Sequence, residues 1–140
     1  MKKLALSLAA AAVAGVAFAA LASAGSAPGH ATVLIRHQVR GCHTWSVNGG
    51  PFRAIQTVAL RRGGWIAVTN DDVMPHKLVK TSGPALRLGP VAMSHMGAKV
   101  KVTFSHAGVY RFTTKPGEDY MKGMKTIGED NVLRLTVRVA

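Results

Sequence analysis

From residue 31 onward, apolar side chains recur at every second position, in short runs broken by glycine, proline and asparagine turns. Ala31, Val33, Ile35, His37 and Val39 alternate with Thr32, Leu34, Arg36 and Gln38, and Val100, Val102 and Phe104 alternate with Lys99, Lys101 and Thr103. A period of two puts one set of side chains on one face of an extended strand, so each run has one face to bury. Further strands are predicted over 55–60, 65–69, 76–80, 109–113 and 131–140. Turns are expected at Asn48-Gly49-Gly50-Pro51, Arg61-Arg62-Gly63-Gly64 and Ala107-Gly108, breaks at Gly83-Pro84 and Gly89-Pro90, and a long glycine-rich loop over 114–130. Seven or eight such strands and no convincing helix imply an all-β, antiparallel-rich Greek-key β-sandwich with one core. Trp45 and Trp65 are expected in that core.

The first residues read as a targeting segment. Lys2 and Lys3 precede an alanine-rich apolar stretch, Leu4 to Leu21, and Ala22-Ser23-Ala24 supplies a small-x-small cleavage pattern. Residues 1–24 are therefore expected to be a signal peptide and 25–140 the folded domain. No transmembrane anchor is expected after cleavage, and the location is expected to be periplasmic or secreted. The chain has one cysteine, Cys42, which excludes an internal disulfide. An unpaired thiol in an oxidising compartment calls for burial, an intermolecular bridge or a metal.

The formal net charge is +12, two units of it from Lys2 and Lys3. Basic residues spread along strands, with no nucleic-acid-binding module, imply anionic protein partners and no nucleic acid. The six acidic residues form three adjacent pairs, Asp71-Asp72, Glu118-Asp119 and Glu129-Asp130. No Gly-x-Ser-x-Gly elbow and no phosphate-cradling loop occurs, so an enzyme is not expected.

Three segments resemble the cupredoxin (blue-copper) family. Residues 57–79, TVALRRGGWIAVTNDDVMPHKLV, are similar to the family's strand, glycine turn, strand and Asn-x-Asp run before a copper-ligating histidine, which would be His76. Residues 101–112, KVTFSHAGVYRF, look like the hairpin before the ligand loop. Glu118-Asp119-Tyr120-Met121-Lys122-Gly123 resembles that loop's His-x-x-Met-x-Gly. The resemblance covers roughly residues 55–125 and implies a cupredoxin-like sandwich with copper as cofactor. The chain departs from the pattern at two places: Thr113 and Thr114 stand where the family has its cysteine, and Glu118 where it has its second histidine. A blue-copper centre needs a thiolate and two imidazoles with a weak axial ligand, and this loop offers only a carboxylate and a thioether.

Topology offers a substitute. In the family the first strand lies parallel to, and beside, the strand leading to the first histidine, so both end at one pole of the sandwich. Here the residues following the first strand are Val39-Arg40-Gly41-Cys42-His43. Cys42 and His43 would then reach the pole that holds His76, together with Met93-Ser94-His95-Met96. The expected metal ligands are Cys42, His43, His76 and Met121, with His37, Glu118, His95 and Met96 as further candidates. His37 shares the apolar face of Val33 and Ile35, where a buried structural histidine is an alternative to a ligand. Asp71-Asp72 and Glu118-Asp119 would lie on loops at the same pole, either favouring a cation or serving as ordinary turn residues.

Two uses of such a site are compatible with these residues. A Cys/His/His/Met set suits electron transfer, whereas a methionine surplus suits the binding and delivery of Cu(I). The expected partners are a copper ion and a redox or copper-accepting protein with an acidic surface. A third possibility, a metal-free β-sandwich that binds a protein partner, holds if Cys42 is buried away from His76.

Overall fold

The computed structural model describes residues 26–37, 43–116 and 133–140. The expected leader and the expected ligands Cys42, Glu118 and Met121 lie outside the described residues. Nine strands are present among the described residues: β1 His30–His37, β2 His43–Val47, β3 Ile55–Leu60, β4 Trp65–Asn70, β5 His76–Ser82, β6 Ala92–Met93, β7 Lys99–Thr103, β8 Gly108–Pro116 and β9 Arg134–Val139. They form two sheets, ordered β2-β1-β4-β7 and β3-β9-β8-β5-β6. No helix occurs among the described residues, and the all-β sandwich expected from the period-two pattern is the fold observed.

Alternation sets which side chains meet between the sheets. Val33, Ile35, Trp45, Ile66, Val68, Val100 and Val102 from one sheet face Val58, Leu60, Leu78, Tyr110, Phe112, Leu135 and Val137 from the other, and all are buried. Each large apolar side chain so removed from water contributes roughly 1.5–3 kcal/mol. The rings of Phe104 and Tyr110 meet edge to face, with centroids 4.9 Å apart, a favoured aromatic geometry.

β1 and β4 run parallel, in register from His30↔Trp65 to Ile35↔Asn70, which is the pairing the family resemblance implied. Both strands therefore end at the same pole. β2 begins there, because β1 pairs antiparallel with it through His37↔His43. β5 also begins there, with His76 opposite Met93 of β6 and Pro116 at the end of β8. The pole thus gathers a strand end or start from β1, β2 and β4 of one sheet and β5, β6 and β8 of the other.

Four features differ from the sequence expectation, the smallest being β6, a two-residue strand beside His76 where no strand is predicted. β2 is not among the strands predicted from the sequence, because His43-Thr44-Trp45-Ser46 alternates no obvious apolar set; it pairs along β1, and Ser46 Oγ donates to the Gly50 carbonyl at 2.6 Å. β8 runs to Pro116, beyond the expected end at Thr113, because β5 extends alongside it and supplies partners for Thr114 and Lys115. Trp65 is not in the core. Its place in β4 has the opposite parity to buried Ile66 and Val68, so its ring lies on the outer face, stacked on His30 (centroids 5.0 Å) and under the Lys101 ammonium at 4.5 Å. The turn after β2 conforms to its sequence: Asn48 and Gly49 both have positive φ, 50° and 73°, and the Gly50 N–H donates to the Val47 carbonyl. Such a turn favours Asn-Gly.

Candidate metal centre

The inward alternation of β4 runs Ile66, Val68, Asn70 and, one step past the strand, Asp72. All four are buried. Asn70 is the polar residue on which the pole is built. Its side-chain Nδ2 donates to the carbonyls of Met74 (2.8 Å) and Met93 (3.2 Å), and its Oδ1 accepts the Asp72 N–H at 2.9 Å. Its backbone N–H donates to the Ala98 carbonyl and its own carbonyl accepts the Gly97 N–H. One amide thereby ties the loop between β4 and β5 to the segment between β6 and β7. An amide buried at this depth is tolerated because its hydrogen-bonding groups are used.

Asp72 is oriented by that scaffold. Its Oδ1 accepts the Met74 N–H at 3.1 Å. Its Oδ2 lies 3.2 Å from His43 Nε2 and 3.3 Å from His76 Nε2. The His43, Asp72 and His76 side chains are all nearly inaccessible, at 3%, 1% and 0% exposure. The imidazoles of His43 and His76 meet edge to face with centroids 4.6 Å apart, and His37 meets His43 likewise at 5.7 Å. One donor atom from each of His37, His43 and Asp72 lies within 4.8 Å of the others, a grouping able to hold a metal ion. His37 shares the inward parity of Val33 and Ile35 but sits at the strand end and is exposed. It forms the rim of the site, with His43 and His76 beneath it.

Of the sequence candidates, the pole therefore brings together His37, His43 and His76. Met93 is fully buried with its backbone opposite His76. Met96 is exposed, and so is His95, whose Nδ1–H donates to the Met96 carbonyl at 2.9 Å. Pro116, the last described residue before Glu118 and Met121, pairs with His76.

The sequence puts Asp71-Asp72 at this pole but does not single out Asp72 among the expected ligands. The acidic pair at 71–72 was treated as a unit, yet the two carboxylates go opposite ways. Asp71 turns outward to Arg36, whose Nη2 and Nε donate at 2.6 and 2.8 Å, while Asp72 turns inward to the histidines. The signal was available in the alternation Ile66, Val68, Asn70, Asp72.

No protein-family model matches the chain, and no curated protein matches it. Among solved structures it is similar to a purple cupredoxin from Nitrosopumilus maritimus, at 19% identity over 76% of this chain and 97% of that chain, with a TM-score of 0.45. It is also similar to a laccase from Pediococcus acidilactici (17% identity, 82% of this chain and 29% of that chain, TM-score 0.44) and to reduced rusticyanin (14% identity, 80% of each chain, TM-score 0.39). Likenesses this distant do not bear on function.

Proposed function

We propose that this chain is an exported copper-binding protein of the cupredoxin type, an electron carrier with no catalytic activity of its own, working in the periplasm or outside the cell. The observation that carries the reading is the buried meeting of His43, His76 and Asp72 at the pole, with His37 at its rim. The donors fit copper in kind: imidazole is a good copper ligand, and Cys42, the chain neighbour of His43, would add a thiolate and Met121 a thioether. Bound copper would supply a one-electron couple between Cu(II) and Cu(I).

The chain's residues would do the rest. Asn70 and the backbone bonds around it hold the loop that carries Asp72 and leads into His76 in place before any ion arrives, and His43 and His76 are shut off from solvent. A preformed, buried site supports electron transfer over delivery, which needs exposed ligands that exchange. The outer face of the sheet containing β5, β8 and β9 carries Lys77, Arg111, Lys115, Arg134 and Arg138, all exposed, and supports docking to an acidic redox partner.

The test is the visible spectrum of the full chain on addition of Cu(II). An intense thiolate charge-transfer band that vanishes in Cys42→Ser is expected. Copper binding without such a band would remove Cys42 from the ligand set, and no copper binding would overturn the reading.

A further inference from the structure

We infer that Asp72 is itself a metal ligand, its Oδ2 joining Nε2 of His43 and Nε2 of His76 around a divalent cation. This rests on the metal reading above and adds to it a hard oxygen donor that a thiolate, imidazole and thioether set does not contain.

Charge is the first reason. The Asp72 side chain is 1% exposed, and an ionised carboxylate at that depth is costly without a positive partner. Arg36 serves Asp71, and among the described residues the ion-pair contacts of Asp72 are to the two imidazoles. A metal cation held by the same imidazoles would supply that positive partner.

Spacing is the second reason. Two ligand atoms each about 2.0 Å from a tetrahedral ion, the usual length of a zinc–imidazole or zinc–carboxylate bond, stand about 3.3 Å apart. Asp72 Oδ2 is 3.2 Å from one Nε2 and 3.3 Å from the other. These are long distances for charge-assisted hydrogen bonds, which run at about 2.7–2.9 Å, and ordinary ones for neighbouring corners of a coordination shell.

Orientation is the third reason. Oδ1 accepts the Met74 N–H and the Asp72 N–H is held by Asn70, so the carboxylate plane is fixed with Oδ2 turned toward the histidines. His37, whose donor atom lies within 4.8 Å of those of His43 and Asp72, closes the solvent side. A carboxylate among imidazoles favours a divalent ion over Cu(I), so the assignment predicts tighter Cu(II) than Cu(I) binding and measurable Zn(II) binding.

A rival role is that Asp72 only orients the imidazoles, accepting Nε2–H from each while the metal binds elsewhere on the rings. Such outer partners also affect affinity, by about 10–100-fold, so affinity alone does not separate the two. Crystals of the full chain soaked in Cu(II) and measured at the copper absorption edge do separate them. One anomalous peak within about 2.2 Å of Oδ2 and of both Nε2 atoms is expected. A peak bonded to the imidazoles with Oδ2 out of bonding reach would overturn the Asp72 assignment and leave the metal reading standing. Absence of copper from the pole, with no Cu(II) binding in solution, would overturn both. In solution, Asp72→Asn that is folded by circular dichroism should bind Zn(II) at least about ten-fold more weakly; unchanged affinity would also overturn the assignment.

Discussion

Replacing Asn70 by alanine should destabilise the chain more than any other polar substitution at the pole. The side chain bonds four backbone groups, the carbonyls of Met74, Met93 and, more weakly at 3.4 Å, His95, and the N–H of Asp72, and the residue is fully buried. Each backbone group left without a partner in the interior costs roughly 1–3 kcal/mol. Water entering on the Met74 side would recover part of this, so the net loss should be about 3–4 kcal/mol. Against a typical domain stability of about 5–15 kcal/mol that is a large share, and it should lower the melting temperature by roughly 10 °C or more. Asn70→Asp provides the control: it keeps an acceptor for the Asp72 N–H, loses both donors, and sets a second carboxylate beside Asp72. It should be at least as destabilising as alanine, although its shape is nearly unchanged. Urea unfolding followed by tryptophan fluorescence gives the free energies, and an unchanged slope would show that the extent of unfolding is the same. A loss below about 1 kcal/mol for both variants would refute the view that this amide holds the pole together.

Other outcomes follow from single contacts. Asp71→Asn should change stability by less than about 1 kcal/mol in the same assay, because its bond to Arg36 is at the surface, and should leave Cu(II) affinity within about two-fold, in contrast to Asp72→Asn; equal effects of the two would contradict their opposite orientations. Gly83→Ala should cost at least about 2 kcal/mol, since Gly83 has φ +110° and an added Cβ would stand 2.5 Å from the Val109 carbonyl oxygen; a wild-type melting temperature would contradict that close approach. Lys101→Glu should lose a cation–π contact worth about 0.5–1 kcal/mol and shift the fluorescence of Trp65, which lies under the ammonium; an unchanged spectrum would argue against the stack.

Strand positions were legible wherever alternation was clean, as in Lys99–Thr103 and Arg134–Val139. They were hidden where pairing rather than apolarity defines the strand, as in His43–Val47, whose polar Thr44 and Ser46 are buried and hydrogen-bonded. Parity, not hydrophobicity, decided the tryptophans: Trp45 faces inward with His43, whereas Trp65 falls one step out of phase with Ile66. The convergence of His43 and His76 was legible only through the parallel β1–β4 pairing that the family resemblance implied. Asp72 did not follow from composition, since adjacent aspartates look equivalent in a loop; only carrying the β4 alternation past Asn70 separates an inward carboxylate from an outward one. Cys42 and Met121, the thiolate and thioether of the sequence reading, belong to the proposal, and Glu118 lies outside the described residues.

The central claim is that one copper ion sits at this pole on His43 and His76. Pulsed electron paramagnetic resonance of the full chain with one equivalent of Cu(II) tests it most directly, because it counts bound imidazole nitrogens. The account predicts at least two coupled imidazoles, with one lost in His43→Gln and one in His76→Gln. A copper signal identical in the wild type and both folded variants would contradict it.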